Sequence, residues 1–211
     1  MSRAPIAQKM DLFAEAWANL SLVRAAWPND NDAVVKSGVM QANLAAEFNL
    51  WPKAVDVLLE ILPASDKTDA QAEVEQKLGQ AYEQIGNVAE SEKHLLAAER
   101  TMHRVHLNRV QSQDILSSVA TFYARRNKPI EAIQRFREAA ALEGQDPINK
   151  LQYQLSIAEQ ASLLGKDAAD PELAHLDDLV SEARKSPLSP ADAILVDHIA
   201  QHAQRVRGKS R

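Results

Sequence analysis

The sequence contains no cysteine. That removes a disulfide framework, a thiolate metal site and a cysteine nucleophile from consideration. Basic excess is missing too: 24 Lys and Arg against 29 Asp and Glu give a net charge of −5, without the cationic footprint that binding a phosphate backbone demands, so nucleic acid is not an expected partner. No apolar run approaches the roughly 20 residues that cross a bilayer. Met1 to Met10 has no apolar core of a leader peptide. Cytoplasmic placement is therefore preferred, and a periplasmic one is open to a chain whose leader has been removed.

Glycine and aromatics are also scarce, with six Gly and 5% Phe, Trp and Tyr in 211 residues. No phosphate-cradling loop can be built from these glycines: Gly38 and Gly79 read as packing positions, Gly86, Gly144 and Gly165 as turns, and Gly208 as part of the tail. No nucleophile elbow is present. His198 and His202 stand four apart on one helix face, but Ile199 occupies the place where a zinc protease needs its Glu, and no third ligand is evident. His94, His103 and His106 read as solvated groups near a helix end, and Glu73, Glu75 and Glu83 as carboxylates of a helix surface. The expectation is a noncatalytic protein without cofactor or metal.

What the chain has in abundance is Ala, Leu, Glu, Gln, Lys and Arg, the residues that lose least rotamer freedom in a helix. The spacing predicts a first helix over about Ile6 to Ala26, with Met10, Phe13, Trp17 and Leu20 on one stripe. Asp30 or Asn31 caps a second helix that ends near Asn49. Pro52 opens a third, which stops at Pro63. Thr68 and Gln71 read as a capping box for the fourth. Gly86 turns the chain into a helix from Asn87 to about Val105, followed by helices over Gln111 to Arg126 and Pro129 to Glu143, closed by Gly144. Pro147 to Leu164, Pro171 to Lys185 and a helix opening at Ser189-Pro190 bring the total to about ten. Arg205 to Arg211 reads as a solvated basic end.

One pattern recurs. Leu78, Gly79, Ala81 and Tyr82 are followed by Gly86, Leu95 and Ala98, and Val119, Ala120, Phe122 and Tyr123 by Asn127, Ala132, Phe136 and Ala139. A weaker copy holds Ala42, Ala45, Asn49, Ala54 and Leu58, and a degenerate one Ile157, Ala158, Ala161 and Gly165. The equivalent small residues Ala54, Ser91 and Ala132 lie 37 and 41 residues apart. This pattern resembles the tetratricopeptide repeat, whose usual period is 34, in a longer-period form.

The resemblance implies an all-α, right-handed α-solenoid of antiparallel helix pairs forming a single structural domain. Residues 1–29 would cap it, and repeats would fall at about 30–66, 67–106, 107–145 and, degenerate, from 147 to 165. Residues 166–211 would form C-terminal capping helices and a basic tail. Trp17 and Trp27 suit the first cap, and Ile194, Leu195, Ile199 and Ala203 the last. Tyr82, Tyr123 and Phe136 fall on the family's interhelix packing positions.

In that family the first helix of each pair lines a concave groove. Transferred position by position, the groove residues are Asn43 and Glu47 with Val39, then Gln76, Gln80 and Glu83, then Ser117, Thr121 and Arg125, with Glu159 and Leu155 extending the row. One branch of the family grips chaperone carboxylate tails with Lys, Asn and Arg at fixed places; here those places hold Val39, Asn43, Lys77, Asp114 and Ser118, so only Asn43 matches and carboxylate capture is excluded. The implied function is a protein-interaction scaffold that binds a peptide or protein surface in the groove. The alternative is a structural assembly subunit, a possible homo-oligomer or a member of a larger envelope complex, docking through solenoid ends near Trp27 and Trp51.

Overall fold

A computed structural model describes residues 4–66, 69–105, 107–142 and 146–209. They form ten helices and, among the described residues, no strand: α1 (Ala4–Ala26), α2 (Asn31–Glu47), α3 (Trp51–Ser65), α4 (Ala70–Gln84), α5 (Val88–Arg104), α6 (Arg109–Arg125), α7 (Pro129–Leu142), α8 (Pro147–Leu164), α9 (Lys166–Ala183) and α10 (Pro190–Lys209). None of the described helices is long and apolar enough to cross a membrane. The chain divides into two compact units, Met1–Leu107 and Asn108–Arg211. The first holds 15 acidic and 10 basic residues, the second 14 of each, so the whole net charge of −5 belongs to the first.

The repeat register is written in the backbone. Three residues have positive φ in equivalent turns, Asn49 (56°), Gly86 (80°) and Asn127 (55°), and they are 37 and 41 residues apart, the spacing of Ala54, Ser91 and Ala132. In each turn the next N–H reaches back to the carbonyl five residues earlier: Leu50 to Ala45 at 2.8 Å, Asn87 to Tyr82 at 2.9 Å and Lys128 to Tyr123 at 3.1 Å. This is the Schellman closure of a helix, which needs a left-handed residue and so favours Gly or Asn there. The next helix then starts without delay, and its paired helix packs back on the first.

In the first unit Leu58, Ile61, Val74, Leu78 and Ala81 are buried in one core with Ala42, Ala45 and Ala54, and Trp17, Trp51 and Tyr82 pack against it. Gly79 lets α5 pack close against α4: a Cβ there would lie 2.6 Å from Leu95 Cγ. Helix α1 is attached by mixed contacts. Phe13 stacks near Trp17 and Phe48, with centroids at 5.5 and 4.9 Å. The fully buried amide of Gln41 donates to the Trp17 carbonyl at 2.9 Å and to Ser21 at 2.8 Å, and its oxygen accepts from Arg24. Trp27 does not join this cap; it is 57% exposed, because it lies beyond the last turn of α1.

In the second unit Phe122, Ile115, Leu116 and Val119 of α6 are buried, as are Ile133 and Phe136 of α7. A further core joins Leu151 and Ala158 of α8, Leu173, Leu176 and Val180 of α9, and Val196, Ile199, Ala203 and Val206 of α10. The end of α10 is therefore docked and not a solvated tail: helix extends through Lys209, Val206 is buried and Arg207 pairs with Asp177 at 2.6 Å.

Several boundaries depart from the sequence reading. Pro63 lies inside α3, which ends at Ser65; in the last turn a proline forfeits only the bond to Leu59, a partly solvated residue. Helix α9 begins at Lys166, five residues before Pro171, because Gly165 alone, at φ 116°, turns the chain and Lys166 pairs with Asp170 one turn on. The segment 166–170 is thus helix. Helix α6 starts at Arg109, capped by Asn108 with Gln111 reciprocating. Asp30, not Asn31, caps α2, accepting from Ala33 at 3.1 Å. The expected cap at Thr68, the turn at Gly144, the helix end at Glu143 and His106 lie outside the described residues.

Candidate interaction surface

Exposed positions on the first helix of each pair define the candidate surface, and each unit carries its own. In the first unit α2 presents Lys36, Met40, Asn43 and Glu47, at helical intervals of three and four residues. Helix α4 presents Gln80, exposed, with Gln76, Lys77 and Glu83 half-buried beside it. The two helices are tied across this face: Lys77 Nζ donates to Asn43 Oδ1 at 2.9 Å and pairs with Glu73 at 3.7 Å. Lys36 is likewise engaged: its ammonium donates to the Asp32 carboxylate at 2.7 Å, and that hydrogen bond, reinforced by the carboxylate charge, raises the ammonium above its usual range. With both lysines neutralised, the face is acidic and amide-rich, with Met40 as its apolar element, 57% exposed.

The second unit repeats the arrangement with different chemistry. Ser117 of α6 lies 3.1 Å from the Tyr153 hydroxyl of α8, a hydrogen bond across 36 residues. Thr121 is half-buried on the same helix and Arg125 is exposed. Glu159 of α8 is drawn to α10, where its Oε1 lies 3.0 Å from His202 Nε2.

The structure thus puts Asn43, Glu47, Gln76, Gln80 and Glu83 on α2 and α4, and Ser117, Thr121, Arg125 and Glu159 on α6 and α8. Two expected groove residues fall elsewhere. Val39 is buried in the first core, because α2 turns it toward α3 and α4, and Leu155 is covered by the core that α10 completes. Trp51, expected at a sticky end, packs against the first core. Sequence reasoning missed Tyr153 and Met40; the first stands one repeat beyond Ser117 and the second one turn before Asn43, so both were accessible to the same offset argument.

The larger miss is internal. His94 and Glu75, read as solvated, are 6% and 8% exposed. His94 Nδ1 lies 2.5 Å from Glu75 Oε2, its Nε2 3.5 Å from Glu90 Oε2, and its ring stacks on Tyr82 at 5.3 Å with 9° between planes. This pair bolts α4 to α5 beneath the α4 face. Among the described residues, no three His, Asp or Glu side chains are grouped so as to share a metal ion.

Helix pairs at this spacing, closed by the same left-handed turn and tied along their first helices, define a tetratricopeptide-like helical repeat fold. Comparison with solved structures agrees. BtubC (BKLC) from P. vanneervenii superposes with a TM-score of 0.71 at 15% identity, over 89% of this chain and 79% of its own. MamA gives 0.63 at 18% identity, over 87% and 92%. A putative kinesin light chain from Podospora anserina with nearly identical TPR-like repeats gives 0.63 at 17%, over 84% and 93%. At these identities the likeness is one of fold. No family model matches the sequence, and neither does any curated protein.

Proposed function

We propose that this protein is a noncatalytic scaffold that binds a peptide or protein surface on the exposed faces of its first helices, α2 with α4 and α6 with α8. The observation that carries this reading is the pair of bonds Lys77–Asn43 and Ser117–Tyr153, which join successive first helices and fix a row of amide, hydroxyl and charged groups in register. Amides offer donors and acceptors together, so such a row can meet a peptide backbone without demanding one charge sign. A partner recovered by crosslinking in native cells would be tested against the Gln80→Ala, Arg125→Glu double variant. Lost affinity with unchanged helicity is expected; wild-type affinity would discard these faces as the site.

A second reading is favoured by α1. Leu12 and Leu22 are largely exposed on it, and Trp27 follows at its end. Exposed apolar groups at the end of a repeat array promote association. In this reading the protein assembles with further copies through α1, and sedimentation velocity across a wide concentration range should show a dimer that Leu22→Glu dissociates. Monomer at every concentration removes it.

A further inference from the structure

Between α7 and the beginning of α9 the second unit holds an open cleft of about 570 Å³. Its size lies in the range of binding concavities, roughly 300–1,000 Å³. It exists because α9 starts early: the extra turn before Pro171 brings Ala168 up as a far wall opposite α7. The near wall is a single face of α7, with lining residues at 130, 133, 134, 137 and 138, spanning about 12 Å at the helical rise. Ile130 and Leu164 line it while 67% and 47% exposed, so aliphatic surface is left in water there.

The charges at the rim are unequal in their engagement. Arg137 is paired with Glu172, and Glu172 is held further by the Gln154 amide at 2.7 Å, so that pair is closed on itself. Glu138 accepts from the neutral amide of Gln134 at 3.0 Å. Among the described residues its negative charge has no cation opposite it. An occupant that complements this cleft is therefore apolar along one side and positive where it passes Glu138. A trough between two helices, lined on one wall at i, i+3, i+4, i+7 and i+8, receives a third helix by ridges into grooves.

We propose that the α7–α9 cleft docks a cationic amphipathic helix of a partner protein, about two turns long, with aliphatic side chains over Ile130 and Leu164 and a Lys or Arg facing Glu138. This site uses second helices and goes beyond the binding faces proposed above.

The probe is a synthetic 15-residue helical peptide with Leu at i, i+4 and i+7 and Lys on the flanks, beside a counterpart in which every Lys is Glu. Titration into the full chain with isotope-labelled amides should shift resonances of α7 and the start of α9. Glu138→Lys should weaken the Lys peptide about tenfold and make the Glu peptide the better ligand, the reversal expected of a complementary rim charge. Ile130→Glu should abolish binding of the Lys peptide. Circular dichroism on each variant checks that it folds. Shifts centred on α2 and α4, or on α6 and α8, with the cleft unmoved would overturn the proposal while leaving the first-helix reading intact. Absence of binding, or equal affinity in both variants, would overturn it as well.

Discussion

His94 and Glu75 meet at 2.5 Å in a place that water scarcely reaches, joining the two helices of the central repeat through a side-chain hydrogen bond. Removing one partner of such a pair strands the other, which costs more than the pair itself contributes. Glu75→Ala should lower stability by about 3 kcal/mol. The Glu75→Leu, His94→Leu double variant should lose less than the sum of its single changes, as read by urea unfolding. Additive losses would show that the two side chains are not coupled.

Ser91 stands where the neighbouring repeats have Ala54 and Ala132, and its hydroxyl is buried without a hydrogen-bond partner among the described residues. A polar atom in that condition is a cost. Ser91→Ala should stabilise by about 1 kcal/mol, raising Tm by roughly 2–4 °C for a chain of this size. A lower Tm would mean that the hydroxyl is satisfied in solution.

Gly79 offers the opposite case. A methyl group there would lie 2.6 Å from Leu95 Cγ and 3.1 Å from the Leu95 backbone nitrogen, and backbone cannot rotate aside. Although Ala is the better helix former, Gly79→Ala should cost about 1–3 kcal/mol through overpacking. An unchanged midpoint in thermal unfolding would refute the close approach of α4 and α5.

Gln41 ties α1 to the first repeat by three hydrogen bonds at a fully buried position. Gln41→Leu leaves Arg24 without its amide acceptor, a loss of about 2 kcal/mol. Hydrogen exchange should quicken in α1 well before α2 to α5. Uniform loss of protection would show instead that α1 folds as one with the repeats.

The repeats themselves were legible because they repeat: small residues at Ala54, Ser91 and Ala132 and turn formers at Asn49, Gly86 and Asn127 each mark a physical need that recurs at the same offset. Prolines were read too strictly. The sequence ends one helix at Pro63 and opens another at Pro171, yet near a helix end a missing N–H forfeits little, and at Pro171 the five residues ahead form a helical turn of their own. His94 and Glu75 were illegible for another reason. Periodicity predicts which face is buried but assigns polar residues to water by default, and only the packed geometry shows that two of them satisfy each other. Of the transferred groove positions, Val39 is buried in the first core, while α10 draws Glu159 aside and covers Leu155, a consequence of end capping that no single repeat encodes.

The uneven distribution of charge between the two units has a kinetic meaning. A cationic partner approaching residues 1–107 would be drawn in from a distance, and its association rate should fall steeply as salt shortens the Debye length to about 8 Å at physiological strength. Encounter with the second half, whose net charge is zero, lacks that long-range pull and should depend less steeply on salt. One chain would then offer a faster, strongly salt-sensitive docking step and a slower, less salt-sensitive one, so ionic strength would decide which half is engaged first.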